Sequence, residues 1–214
     1  MLRRTVGSVM CLGATLALSA ITCAAPARAG SRHSVLVLGD SVFSVFRWAP
    51  ASQQPFWKHG YDVVNEAWGC QSLLTEGCPG SGGKSALQRL IDHRGEDIDA
   101  IVVGTGYNDV GAGNLRLGMR KIVFEARKRN IPVIWATYFE GGNMRRKARE
   151  FNAALRAEAS HHDNVTVVEW SAHAAGHRKW FNGDSVHLNG AGGRQLAIFL
   201  ARALDDCLAG KVGG

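Results

Sequence analysis

Five short apolar runs, separated by stretches of helical spacing, constrain this chain more than any other feature. The runs are residues 34–38, 61–65, 100–103, 131–137 and 164–170. Between and after them, apolar side chains recur on one helical face. Leu115, Met119, Ile122 and Ala126 form one such stripe, and Met144, Ala148, Phe151 and Leu155 a second. A third stripe, Leu196, Phe199, Leu200 and Leu204, follows Asn189-Gly190, and residues 85–94 hold a shorter one on Leu87, Leu90 and Ile91. Strands alternating with helices need crossover connections, so the sheet is parallel and covered on both faces. The expected architecture is an α/β, three-layer α/β/α sandwich around a flavodoxin-like five-stranded parallel sheet in the order 2-1-3-4-5.

In that order the first and third strands are neighbours at the switch point, where ligands bind beyond the carboxyl ends of the strands. The first run ends in Gly39-Asp40-Ser41, and the third is followed by Gly106-Tyr107-Asn108-Asp109. Topology alone therefore sets Ser41 beside Asn108. A serine hydroxyl is a weak nucleophile until a histidine takes its proton and a carboxylate holds that histidine in the right tautomer. The segment Asp184-Ser185-Val186-His187, just before the last helical stripe, supplies both groups. The plain alternatives are that Ser41 caps a helix and that Asp-x-x-His is an ordinary surface loop.

With Gly69 in Asn65-Glu66-Ala67-Trp68-Gly69, these segments make four blocks whose order and spacing resemble those of the SGNH, or GDSL-type, serine hydrolases. The resemblance runs from about residue 34 to 205. It implies the SGNH hydrolase fold and a carboxylic ester hydrolase with Ser41 as nucleophile, His187 as base and Asp184 as the carboxylate behind it. It also implies an oxyanion hole made by the backbone N–H of Ser41, the backbone N–H of Gly69 and the side-chain amide of Asn108. Asp40 and Asp109 are then loop braces, and no metal or cofactor is expected. Valine follows Ser41 where the family name implies leucine, an exchange of one apolar residue for another. The implied substrate is a small-molecule, lipid or polysaccharide ester, with short acyl or O-acetyl groups favoured. The rival readings are an O-acyltransferase acting on envelope polysaccharide and a catalytically silent carbohydrate-binding member. Phe43, Phe46, Trp48, Trp68 and Tyr107 are candidates to line a pocket, although aromatic residues near a strand end are about as often core.

Residues 1–29 read as a signal peptide: Arg3-Arg4, an apolar stretch over 6–23, then Ala27-Arg28-Ala29 as a small-x-small cleavage site. Residues 30–214 are then one hydrolase domain, secreted or held in the cell envelope or periplasm. No later segment is apolar enough to span a bilayer, so no stable membrane insertion is expected once the leader is removed. Losing the leader lowers the formal charge from +7 to +4, with basic residues scattered among acids, which excludes a nucleic-acid partner. In an oxidising compartment Cys70 and Cys78 are natural disulfide partners, leaving Cys207 a free thiol on the last helix. Three lookalikes carry no function. The glycine-rich stretch 77–85 is one position out of register for a phosphate loop, His161, His162, His173 and His177 lack completing metal ligands, and the sequon at Asn164 overlaps a strand.

Overall fold

The computed structural model describes residues 32–79 and 82–209; the expected leader, 1–29, lies outside the described residues. The strands are β1 (His33–Gly39), β2 (Tyr61–Ala67), β3 (Ala100–Gly104), β4 (Val133–Ala136) and β5 (Val165–Val168). They form one sheet in the order β2-β1-β3-β4-β5, every pairing parallel, as the alternation of runs predicts. β3 and β4 are buried along their whole length, which is why they read as unbroken apolar runs. β5 is an edge strand and half-buried throughout. It is shorter than the run 164–170 because Trp170 leaves the sheet to begin a helix.

The helices are α1 (Val45–Trp48), α2 (Gln54–Lys58), α3 (Ala86–Asp92), α4 (Ala112–Arg127), α5 (Arg145–Ala159), α6 (Trp170–Ala174) and α7 (Gly190–Leu208). α3, α4 and α5 pack side by side as one layer, and α1, α2 and α7 form the other. The stripes face inward: Leu115, Met119 and Ile122 on α4, Phe151 and Leu155 on α5, and Leu196, Leu200 and Leu204 on α7 are all buried. Each such side chain contributes about 1.5–3 kcal/mol on burial. Phe199 departs from its stripe, being only half-buried and stacked on His173 at 4.8 Å. Ser85 caps α3 by accepting from Gln88 N at 3.1 Å, and Asn189 caps α7 by accepting from Gly192 N at 3.0 Å. That use of Ser85 accounts for the serine in the glycine-rich stretch without any phosphate.

Close packing at the sheet's carboxyl edge fixes the turn that carries Ser41. Gly39 and Gly104 face each other across β1 and β3, and the Phe43 side chain lies over both. A Cβ at Gly39 would come within 2.3 Å of Phe43 Cβ, and one at Gly104 within 2.1 Å of its ring. Phe43 in turn meets Phe46 edge-on, and Phe46 meets Phe56. Phe43 and Phe46 are thus core residues, not pocket walls, because their rings seat the 40–44 turn on the sheet.

Cys70 and Cys78 form a disulfide. Closing so short a loop stabilises by roughly 2–3 kcal/mol in the chain-entropy model. Cys207 is a half-buried free thiol, and burial raises its pKa.

Candidate active site

Ser41 stands in the turn immediately after β1, and His187 comes from the loop before α7, 146 residues later in the chain. Their side chains meet, His187 Nε2 lying 2.8 Å from Ser41 Oγ. On the other side of the ring, His187 Nδ1 lies 2.5 Å from Asp184 Oδ2. An ionised carboxylate only accepts, so Nδ1 carries the proton and the Nε2 lone pair faces the serine hydroxyl. Asp184 Oδ1 accepts from the backbone N–H groups of Val186 at 2.9 Å and His187 at 3.0 Å. This closes a tight turn, in which Ser185 takes left-handed backbone with φ 57°. Burial pushes the Asp184 carboxyl up, but the bonds from the His187 ring and from the two N–H groups outweigh it and hold the pKa at about 2. The cluster is open to solvent, with the His187 and Asp184 side chains 42% and 46% exposed. Ser41 does not cap α1: Ser44 occupies that position, and its hydroxyl donates to Ser41 O at 2.7 Å.

Asp40 is fully buried and ties the Ser41 turn to the loop after β3. Its Oδ1 accepts from Val42 N at 3.0 Å, and its Oδ2 from Gly106 N and Tyr107 N, each at 3.2 Å. Burial pushes Asp40 up to about 6 against the pull of these N–H groups and of nearby His187. Asp109 braces the same loop from the far side by accepting from Leu73 N at 3.1 Å, and burial raises it to about 6 as well. Gly106 requires its missing side chain: with φ 148°, a Cβ there would sit 2.1 Å from Tyr138 Oη. Both aspartates therefore occupy the bracing positions that the resemblance implies.

Asn108 follows directly, and its side-chain amide donates one N–H to Gln71 O at 3.0 Å. An amide has two N–H groups, so this bond orients the nitrogen and leaves a second donor. Gly69 lies two residues before Gln71, in the turn after β2. A Cβ at Gly69 would meet no atom of the protein within 4 Å, so nothing in the described residues demands glycine there.

The support beneath these two residues is absent from the sequence reading. Gln71 is completely buried; its carbonyl also accepts from Thr105 Oγ1 at 2.9 Å, and its side-chain Oε1 from Arg89 Nε at 2.6 Å. Arg89 pairs with Glu66 at 2.6 Å, and Glu66 accepts from Trp68 Nε1 at 3.0 Å. Arg47 and Arg89 both lie over Trp68, their guanidinium carbons 3.7 and 4.7 Å from its ring centroid. Trp68 is thus a brace of the 68–73 segment. Tyr107 is likewise held, its hydroxyl donating to Phe139 O at 2.9 Å. Trp48 is 56% exposed, so no aromatic pocket gathers from the five candidates. The part-buried Glu66–Arg89–Gln71 chain helps to hold the segment, and isolated polar residues at irregular spacing give no periodic signal for it.

Residues 37–195 match the model of the GDSL-like lipase/acylhydrolase family. Among solved structures the chain is similar to the psychrotrophic esterase EstA from Pseudoalteromonas sp., with a TM-score of 0.65 and 14% identity over 83% of this chain and 99% of that one. It is also similar to a carbohydrate esterase family 3 protein from Talaromyces cellulolyticus, with a TM-score of 0.64 and 14% identity over 83% and 99% of the two chains. At such identities these likenesses establish the fold. A curated relative, the putative peptidoglycan O-acetyltransferase YrhL of Bacillus subtilis (strain 168), is 36% identical over 53 residues. That match spans 25% of this chain and 8% of the relative.

Proposed function

The chain belongs to the GDSL-like lipase/acylhydrolase family, and from that membership we propose that it is an exported serine esterase that favours short acyl groups, O-acetyl included. The observation that carries the reading is the chain of contacts from Ser41 Oγ through His187 to Asp184, at 2.8 and 2.5 Å. Ser41 Oγ attacks the ester carbonyl carbon while His187 Nε2 takes its proton. The oxyanion accepts from the N–H groups of Ser41 and Gly69 and from the Asn108 amide nitrogen. Collapse breaks the bond to the alcohol oxygen, which leaves with the proton held on His187. Water then attacks the acyl-enzyme with His187 again as base, releasing the acid and restoring Ser41. Asp184 stays ionised throughout and stabilises the imidazolium.

The close packing of Phe43 beneath the Ser41 turn supports the short-acyl reading. The space enclosed by Val42, Phe43, Gly104 and Tyr107 is about 10 Å³, enough for no more than a water. A long acyl chain has no slot there, and Phe43 cannot withdraw without releasing the turn. In a p-nitrophenyl ester series from acetyl to palmitoyl, kcat/KM is expected to peak at the shortest esters and to fall by about tenfold or more beyond butyryl. A flat or rising series refutes the short-acyl reading, and inactivity towards every ester refutes the esterase itself.

Asn108→Ala is expected to lower kcat roughly 10²–10³-fold with a smaller change in KM, because an oxyanion donor acts in the transition state. A rise in KM alone, at unchanged kcat, moves Asn108 to ordinary substrate binding. Export is supported by the Arg3-Arg4 start, the apolar stretch 6–23, Ala27-Arg28-Ala29 and the Cys70–Cys78 disulfide. The short match to the putative O-acetyltransferase favours a second reading, acyl transfer from the same acyl-enzyme to a sugar hydroxyl. An added sugar that diverts acetyl from water to itself distinguishes the two.

A further inference from the structure

The triad loop forms one wall of a separate groove whose lining is polar and cationic. This groove, about 530 Å³ in volume, is bounded by Ser185 and by the loops after β4 and around α6. Phe139 and Phe181 line it, stacked at 4.2 Å. Two arginines from separate elements border it: Arg145, the first residue of α5, and Arg178, in the short helical turn Arg178–Trp180. Both are exposed, and neither side chain has a hydrogen bond, ion pair or ring contact among the described residues. Two other arginines of α5 hold carboxylates: Arg156 grips Glu169 at 2.7 Å, and Arg149 takes Glu140, the acid that borders the groove. Glu140 also accepts from Asn152 at 3.2 Å, so the one carboxylate present is already engaged.

Two further features tie the groove to the reaction. Gly142, with φ 55°, abuts the triad loop so closely that a Cβ there would sit 2.5 Å from Asp184 O. The β4–α5 loop is therefore seated against the turn that carries His187, and the groove keeps a fixed position relative to the ring. The first turn of α5 carries Arg145, Arg146 and Lys147 and no acid, against the preference of a helix N-terminus for negative charge. That local cost is offset if an anion docks beside it.

We propose that this groove is the subsite for the alcohol portion of the substrate, and that Arg145 and Arg178 bind a carboxylate or phosphate on that portion. The inference rests on the esterase reading. His187 protonates the leaving oxygen, so the alcohol lies on the side of the histidine loop, and Ser185 of that loop borders the groove. Guanidinium groups pair with planar oxyanions through two parallel donors, and the stacked phenyl rings offer an apolar face to a sugar or aromatic ring.

The test compares the acetyl esters of para-hydroxybenzoate and para-hydroxybenzamide, equal in size and different in charge. The native enzyme is expected to favour the anionic ester in kcat/KM by about tenfold at low salt, from two partly exposed ion pairs. Near ~0.5 M salt the preference should shrink. In the Arg145→Gln/Arg178→Gln double variant the ratio should fall towards one, the neutral ester serving as internal control for folding. Replacing both arginines by lysine should retain part of the preference. Equal kcat/KM for the two esters in the native enzyme, or a ratio indifferent to the double variant, overturns the subsite while leaving the esterase standing. If neither ester is turned over, the esterase reading has failed on its own. Calorimetry of acetoxybenzoate with Ser41→Ala protein then decides the subsite: binding abolished by the two glutamines supports it, and absent or unaffected binding overturns it.

Discussion

Ser41→Ala should reduce kcat/KM for a p-nitrophenyl ester by at least about 10⁴-fold, because without the nucleophile no acyl-enzyme forms. The fold should hardly notice. The hydroxyl meets the half-exposed His187 ring and no part of the core, so its loss belongs with substitutions worth within about 0.5 kcal/mol. For a domain of this size that is a shift of no more than about 2 °C in Tm. No neighbouring hydroxyl stands ready to substitute, since Ser44 Oγ is committed to Ser41 O. Burst kinetics on the native enzyme and a melting curve on the variant check both halves. Residual activity within about tenfold of native would remove Ser41 from the chemistry. A large loss of Tm would show instead that the hydroxyl holds the turn together.

The sequence revealed those parts of the fold that have a period or a pattern. Buried parallel strands such as β3 and β4 are unbroken apolar runs, and α4, α5 and α7 show one apolar stripe each, so the sheet order follows from alternation and topology. Short elements carry no period. α1, α2 and α6 are four or five residues long, and sequence reading had no means to separate them from loops. The site divides in the same way. Ser41 and Asn108 become neighbours through strand order alone, whereas the meeting of Ser41 with a histidine 146 residues away rested on the resemblance. The Glu66–Arg89–Gln71 chain was illegible, because a part-buried ion pair is a matter of tertiary geometry and its members look like surface residues in a sequence. For the aromatic residues the sequence left pocket wall and core both open, and Phe43 and Phe46 lie close to the motif because they anchor it from below.

Asp184→Asn should lower kcat by about 10⁴-fold, close to the loss of the nucleophile itself. Asparagine keeps the size of the side chain and can keep a contact with Nδ1, but its NH₂ group donates. Meeting that donor, Nδ1 becomes the acceptor and the ring proton moves to Nε2, where it faces Ser41 and cannot accept from it. The pH profile separates this from simple loss of structure. The Asp184 carboxyl is held at about 2, below the ordinary value of 3.8, so it is ionised at every pH where the enzyme would be assayed. A carboxyl depressed on folding contributes stability that is complete above its unfolded pKa and is lost as pH falls through about 2; with the side chain 46% exposed, solvent screens most of that contribution. The buried Asp40 and Asp109, both pushed up to about 6, also ionise between about pH 5 and 8, so a rate limb there is assigned to the histidine by its response to Asp184→Asn and not by its position. The base must be neutral, so kcat/KM should rise with pH through that limb and then level off. Removing the carboxylate charge disfavours the imidazolium, so in Asp184→Asn the residual limb should move to lower pH. A variant with unchanged rate and unchanged limb would take Asp184 out of the mechanism, and no near neighbour would replace it. Glu169 is gripped by Arg156 through two bonds of 2.8 and 2.7 Å, and Asp163 is bound by Arg127. His187 would then be oriented without any carboxylate, and the triad would reduce to a serine–histidine pair.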